Sequence, residues 1–109
     1  MTAKLPIAEL DEVLHQPVRT RITALLAARG ETTFTELKQA LEITDGNLEA
    51  HMKKLLAAEY AKAKKIHGKG RAQTFYSLTR KGKFAFKRYI TSLETLFAVE
   101  NFVNRKNMK

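Results

Sequence analysis

The chain has 109 residues and a formal net charge of +9, which fits one domain and indicates a polyanionic partner. It contains no cysteine, so disulfide frameworks and metal sites built on thiolates are excluded. No apolar stretch approaches the roughly 20 residues that a membrane span needs. The first ten residues have no apolar segment typical of a signal peptide. We therefore expect a cytoplasmic globular protein that does not associate with membranes.

The positive charge is confined to the second half of the chain. Residues 1–59 carry 7 Lys+Arg and 9 Asp+Glu, a net charge of −2. Residues 60–109 carry 13 and 2, a net charge of +11, and no acidic residue occurs from Tyr60 to Leu93. The alternative is a basic protein with no polyanionic partner, but a general excess of charge does not explain this local concentration. The pattern predicts one basic surface.

The first two predicted elements are helices. A short helix is expected over 5–14 from the spacing of its apolar residues, which are Leu5, Ile7, Leu10, Val13 and Leu14. A second helix is expected over 17–29. Pro17 suits its first position, where the missing N–H costs nothing. Gly30 is typical of the residue that follows a helix, so the second helix ends there.

The next two predicted helices form a helix-turn-helix over 33–59. A brief β-branched strand is expected first. Thr33 and Glu36 then match a capping box, which opens a short helix. Thr44 is a natural N-cap for the helix that follows. Two short helices joined by a turn of three or four residues are typical of a helix-turn-helix.

The hydrophobic period then changes from 3.6 to 2, which indicates strands. Residues 60–78 alternate and then become rich in β-branched and aromatic side chains, which predicts a β-hairpin with a basic tip. A last long helix is expected over 79–103, followed by a polar tail over 104–109. The expected fold class is therefore mainly α with a small β-hairpin (α+β), in a single domain over 1–109.

Candidate contacts to a nucleic acid lie on the fourth predicted helix and on the hairpin. A helix that enters the major groove needs small, polar or basic outward residues. Asn47 could bond to adenine or to a phosphate, and the sequence leaves both open. Cations of the hairpin could reach the DNA backbone or a narrow minor groove. The candidates are Thr44, Gly46, Asn47, Ala50, His51, Lys53, Lys54, Lys64, Lys65, Lys69 and Arg71.

Five motifs follow one another along the chain. They are Gln16-Pro17-Val18-Arg19, Phe34-Thr35-Glu36-Leu37, the stretch from Thr44 to Leu55, Gly70-Arg71, and the stretch from Thr74 to Gly82. In this order they resemble the winged helix-turn-helix regulators, in particular the small MarR/ArsR-like prokaryotic transcriptional regulators. The resemblance implies a homodimer on double-stranded DNA, with a recognition helix over 44–58 and a wing over 60–78. The metal-sensing branch of these regulators uses cysteines that this chain lacks.

The last predicted helix carries more apolar surface than one small core can cover. Packing inside one chain is the alternative, but we expect N- and C-terminal helices that also pack against a second copy. The expected dimer contacts are Leu5, Ile7, Leu10, Leu14, Phe86, Tyr89, Ile90, Leu93, Leu96 and Phe97. A two-fold dimer would place its recognition helices about 34 Å apart, one turn of DNA. The cleft between the dimer helices could hold a small-molecule effector.

No residue pattern predicts catalysis, a cofactor or a metal site. Helical metal sites often place a second ligand four residues from a histidine, and none stands there from His51. The sequence therefore favours a sequence-selective regulator of transcription over an enzyme. A winged helix that binds a partner protein and an RNA-binding protein remain the alternatives. Repression and activation are not distinguished.

Overall fold

The structure is a computed structural model that describes residues 10–68 and 70–107, with side chains for 10–68 and 70–98. In these ranges the elements are α1 (Pro17–Arg29), β1 (Thr32–Thr33), α2 (Phe34–Leu41), α3 (Asp45–Ala57), β2 (Ala61–His67), β3 (Ala72–Leu78) and α4 (Arg80–Asn107). This order confirms the α+β winged-helix architecture predicted from the sequence.

Side-chain caps set the starts of α2 and α3. The Thr33 hydroxyl accepts the Glu36 N–H at 3.1 Å, and the Glu36 carboxylate accepts the Thr33 N–H at 2.9 Å. This is the predicted capping box, and the backbone N–H of Thr33 lowers the pKa of Glu36. At α3 the Thr44 hydroxyl accepts the Asn47 N–H at 3.1 Å. Both helices therefore begin where the sequence places their caps.

The turn between α2 and α3 has three residues, as expected for a helix-turn-helix. Glu42 adopts a left-handed conformation (φ 54°, ψ 49°), and its N–H donates to the Lys38 carbonyl at 2.9 Å. The Lys38 ammonium also lies 2.8 Å from the Asp45 carboxylate, which bridges the turn. These contacts fix α3 relative to α2.

The three strands form one antiparallel sheet in the order β1-β3-β2. Thr32 pairs with Tyr76, which joins β1 to the central strand. On the other side β2 pairs with β3 along its whole length, from Ala61 opposite Leu78 to His67 opposite Ala72. β1 therefore attaches the start of the helix-turn-helix to the root of the hairpin.

The core lies between α1, α2, α3 and the root of the hairpin. Its buried members recur at helical spacing in the helices, and at alternate positions near the end of β3. They are Leu10, Leu14, Ile22, Leu26, Leu37, Leu41, Leu48, Met52, Leu55, Ala61, Tyr76, Leu78 and Tyr89. This core supports α3 from behind and holds the hairpin beside it.

The segment before α1 differs from the prediction. Residues 5–9 of the helix predicted over 5–14 lie outside the described residues, and its last residues form a turn. The Asp11 carboxylate accepts the N–H groups of Val13 at 2.8 Å and Leu14 at 3.1 Å, so the backbone is satisfied without a helix. Its other oxygen accepts the Tyr60 hydroxyl. Burial and the bond to Asp11 raise the pKa of Tyr60 to about 12.

α4 begins on the end of the helix-turn-helix and then runs on beyond it. The Thr79 hydroxyl accepts the Gly82 N–H at 2.9 Å and donates to the Glu59 carbonyl at 2.6 Å. With 28 residues, α4 is about 42 Å long. In the described residues it continues to Asn107, beyond the predicted end at residue 103, because no proline or glycine follows Gly82 to stop it. Among the described helices, none is long and apolar enough to cross a membrane.

Candidate nucleic-acid interface

α3 buries one face and exposes the other. Leu48, Met52 and Leu55, spaced at i, i+4 and i+7, have at most 1% of their surface exposed. The solvent side carries small, polar and basic residues, which are Gly46, Asn47, Ala50, Lys53 and Lys54, together with the acidic residues Asp45 and Glu49. Thr44 is also exposed, at the cap of the helix. The structure thus brings together on one helix the candidates that the sequence assigned to it.

Gly46 is not required by the fold. A Cβ atom placed on it would meet no atom within 4 Å, and its backbone is helical with a negative φ. Glycine in a helix costs up to about 1 kcal/mol relative to alanine. A position without a side chain in the first turn of an exposed helix leaves room for the close approach of a partner's backbone.

His51 is the half-buried member of this helix. Its Nδ1 lies 3.1 Å from the Arg19 Nη1 of α1. Burial, and then the charge of Arg19, lower the pKa of His51. The sequence predicts His51 as a DNA contact but does not predict its partner Arg19, because residues 32 positions apart share no local pattern. In the described part of the chain no three His, Asp or Glu residues are grouped to hold a metal ion.

The two acidic residues of α3 near its exposed face have separate surroundings. Asp45 forms the ion pair with Lys38 across the turn, which neutralises it locally. Glu49 lies near Tyr76. Burial raises the pKa of Tyr76, and the negative charge of Glu49 raises it further. Asp45 and Glu49 are four positions apart and therefore neighbours on the helix surface, where Lys38 offsets the charge of Asp45.

The hairpin supplies most of the cations near α3. All residues of β2 after Ala61 are exposed, and β2 is one of the two edge strands of the described sheet. Lys64 lies 3.4 Å from Glu31, so part of its charge is neutralised. Lys65 and Arg71 are exposed and form no ion pair with a described residue. Lys69 lies outside the described residues. Lysines on an edge strand also discourage pairing with another sheet.

A groove of about 510 Å³ joins these elements. It lies between the start of α2, the first turns of α3 and the hairpin. Polar and charged side chains from all three line it, among them Thr33, Thr35, Glu49, Lys65, Arg71 and Gln73. Hydroxyl, amide and cationic donors of this kind can bind phosphate oxygens. From α3 the groove is lined by Glu49, so it lies beside the exposed face that carries Asn47 and Ala50.

The predicted dimer contacts fall into distinct groups. Leu5 and Ile7 lie outside the described residues. Three residues belong to the core of the single chain, which leaves them little surface for a partner: Leu10, Leu14 and Tyr89. Phe86, Leu93 and Leu96 are half-buried. Ile90 and Phe97 are exposed, at 37% and 61% of their surface, and so is Phe84, which the prediction left out.

Comparisons with known proteins give the same architecture. A family model described as a winged helix DNA-binding domain matches residues 18–97. An uncharacterized protein of Methanocaldococcus jannaschii is 43% identical over 79 residues, which cover 72% of this chain and 86% of that protein. A transcriptional regulator homologue from Pyrococcus horikoshii is similar in structure, with a TM-score of 0.80 and 27% identity. The match covers 85% of this chain and 94% of that one.

Two solved structures of lower identity share the fold. ZitR of Lactococcus lactis, a zinc-responsive MarR family member, is 22% identical with a TM-score of 0.62, covering 88% of this chain and 65% of that one. PadR of Bacillus subtilis, solved with operator DNA, is 18% identical with a TM-score of 0.60. It covers 69% of this chain and 48% of that one. At these identities the likeness concerns the fold alone.

Proposed function

Because the chain belongs to the winged helix DNA-binding domain family, we propose that it is a transcriptional regulator that binds double-stranded DNA as a homodimer, with sequence selectivity. α3 enters the major groove, and the hairpin lies against the backbone or in the minor groove. The observation that carries this proposal is the exposed face of α3, which lies beside a groove lined by the start of α2, Glu49 of α3 and the basic hairpin. A convex duplex fits such a surface, and its phosphates complement the cations there.

The residues of this surface have two roles: some attract the DNA backbone, and others select the base sequence. Lys53, Lys54, Lys65 and Arg71 contact phosphates, which gives affinity without sequence information. Asn47 lies in the first turn of α3, where a recognition helix meets base edges, and its amide can bond to adenine. A bond from Asn47 to a phosphate is the alternative outcome.

The exposed apolar residues of α4 support the homodimer. Phe84, Ile90 and Phe97 present apolar surface to solvent on a helix about 42 Å long. Ile90 and Phe97 are seven positions apart and share one face, which the pairing of two copies of α4 would cover. A two-fold axis between them would place two α3 helices about 34 Å apart, on one face of a duplex.

The two alternative functions predict different ligands. The major groove of A-form RNA is too narrow for side chains to read, so an RNA ligand would not use the exposed face of α3 in this way. A partner protein docked on the surface would compete with DNA for Lys65 and Arg71. Double-stranded DNA is favoured because cations flank a helix whose outward face includes the small or polar residues Gly46, Asn47 and Ala50.

The test compares two exposed alanines. Ala50 lies on the solvent face of α3 and Ala24 lies on the solvent side of α1. Ala50→Glu and Ala24→Glu make the same change of charge in a helix. Duplex fragments captured by the wild-type protein from the source genome serve as the probe. We expect Ala50→Glu to weaken binding at least about tenfold, because it puts a carboxylate against phosphates and base edges. We expect Ala24→Glu to bind like the wild type.

Two results would overturn the proposal. One is a wild-type protein that captures no duplex DNA, or captures RNA in its place. The other is an equal loss of affinity in both variants, because net charge rather than the α3 surface would then govern binding. Thermal denaturation of both variants verifies that each is folded.

A further inference from the structure

Arg19 is held in place by three hydrogen bonds that involve its backbone and its guanidinium. Its backbone N–H donates to the Gln16 side-chain oxygen at 2.8 Å in the first turn of α1. Its Nε donates to the Val13 carbonyl at 2.6 Å. The remaining contact, at 3.1 Å, joins its Nη1 to the Nδ1 of His51. Arg19 is half-buried and its guanidinium is tied to the turn that precedes α1, so the position of its Nη1 is fixed relative to α3.

The chemistry of this contact determines where the proton on His51 resides. A guanidinium has only donors and stays protonated in proteins. The Nδ1 of His51 must therefore accept, and it carries no hydrogen. A neutral imidazole then has its hydrogen on Nε2, which makes Nε2 a donor. Burial and the Arg19 charge both disfavour the doubly protonated ring, which agrees with this assignment.

We propose that Arg19 is a positioning residue that holds His51 as its neutral Nε2–H tautomer, so that α3 offers DNA an uncharged hydrogen-bond donor. The inference rests on the proposed function and adds a residue of α1 to the recognition apparatus. Its target is an acceptor atom on the duplex. That atom is either a base edge in the major groove, such as guanine O6 or N7, or a phosphate oxygen.

The first test needs no DNA. Long-range ¹H–¹⁵N spectra of the full chain, labelled at histidine, report which ring nitrogen carries hydrogen. Loss of one signal set in His51→Gln assigns His51. We expect the Nε2–H tautomer in the wild type and in Arg21→Met, which removes an exposed arginine of the same helix. In Arg19→Met we expect a mixture of tautomers. An Nδ1–H ring in the wild type, or spectra unchanged by Arg19→Met, would overturn the proposal.

The second test measures binding to the captured duplex. His51→Leu removes the donor, whereas His51→Gln keeps an N–H donor at a similar reach. We expect His51→Leu and Arg19→Met to lose affinity by about 2- to 12-fold, the value of one net hydrogen bond, and His51→Gln and Arg21→Met to lose less. Equal losses in His51→Leu and His51→Gln would contradict a donor role.

The same experiments distinguish a base acceptor from a phosphate acceptor. They also distinguish failure of the proposed DNA-binding function from failure of the role proposed for Arg19. If the acceptor is a base, the loss is larger on the captured duplex than on an unrelated duplex. If it is a phosphate, the losses are equal. Failure of the wild type to bind any duplex would refute the proposed function while leaving the tautomer measurement intact. A wrong tautomer with intact DNA binding would refute only the role of Arg19.

Discussion

Gly82 is the residue at which the backbone of α4 comes closest to the end of the helix-turn-helix. A Cβ atom on it would lie 1.9 Å from the Tyr60 carbonyl oxygen, which also accepts the Thr79 N–H at 3.0 Å. That distance is far below van der Waals contact and the obstacle is backbone. Glycine is therefore required by packing at this position, and α4 must move away if any side chain is added.

We expect Gly82→Ala to lower the free energy of unfolding by about 1–3 kcal/mol, the usual range for overpacking. Urea denaturation followed by circular dichroism measures it. Gly46→Ala is the matched control, because its Cβ would meet no atom and alanine favours a helix. It should leave stability unchanged or raise it by up to about 1 kcal/mol. A Gly82→Ala protein as stable as the wild type would contradict the packing described for α4.

Side-chain contacts between residues far apart in the sequence could not be predicted from the sequence. The bond from Arg19 to His51 joins α1 to α3, and the ion pair of Lys64 with Glu31 joins β2 to the turn between α1 and β1. They depend on how the elements pack, which no local spacing encodes. The hydroxyl caps of Thr33 and Thr44 were predictable, because a cap acts within three residues of its own position.

Among the helices and strands, the starts of the helices were predictable from the sequence. The turn over 11–14 and the pairing of β1 with β3 were not. The turn over 11–14 replaced a predicted helix because the Asp11 carboxylate bonds to local N–H groups, which competes with helix formation. β1 was predicted only as a brief strand. Its place beside β3 arises from tertiary pairing, since Thr32 and Tyr76 are far apart in sequence.

The hairpin is the element whose charge we expect to govern salt dependence. Lys65 and Arg71 line the groove and form no ion pair with a described residue. Replacing both by alanine should weaken binding to all duplexes alike. It should also reduce the slope of log affinity against log salt by about 1.8, since each phosphate contact contributes about 0.9. Lys64→Ala, which removes a lysine paired with Glu31, should change the slope less. An unchanged slope in the double variant would remove the hairpin from the interface.

For the molecule as a whole, most of the large apolar residues exposed in the described part of the chain lie on α4, and Ile66 of β2 is the other one. Phe97 and Ile90 lie seven positions apart, two turns of the helix, so they share one face. Leu93 is half-buried against the core of its own chain. The interface of the proposed dimer therefore centres on exposed residues of α4 more than on the wider set predicted from the sequence.

We expect the wild type to sediment at equilibrium with twice the 12.4 kDa mass of the chain. Ile90→Glu combined with Phe97→Glu should yield monomers, because four carboxylates would meet in the interface. Thr91→Glu with Thr95→Glu, at exposed polar positions of the same helix, is the control and should leave the dimer intact. A monomeric wild type, or a dimer that survives the first pair, would show that α4 does not form the interface.

The charge distribution of the whole chain leads to the decisive measurement. The net charge of +11 on residues 60–109 attracts phosphates if the chain binds DNA. The affinity of the wild type for a captured duplex should therefore be measured from about 50 to 200 mM salt. If Lys53, Lys54, Lys65 and Arg71 each neutralise one phosphate, log affinity should fall against log salt with a slope of about −3.6 per protomer. A slope near zero would contradict the proposal that the chain binds duplex DNA through phosphate contacts.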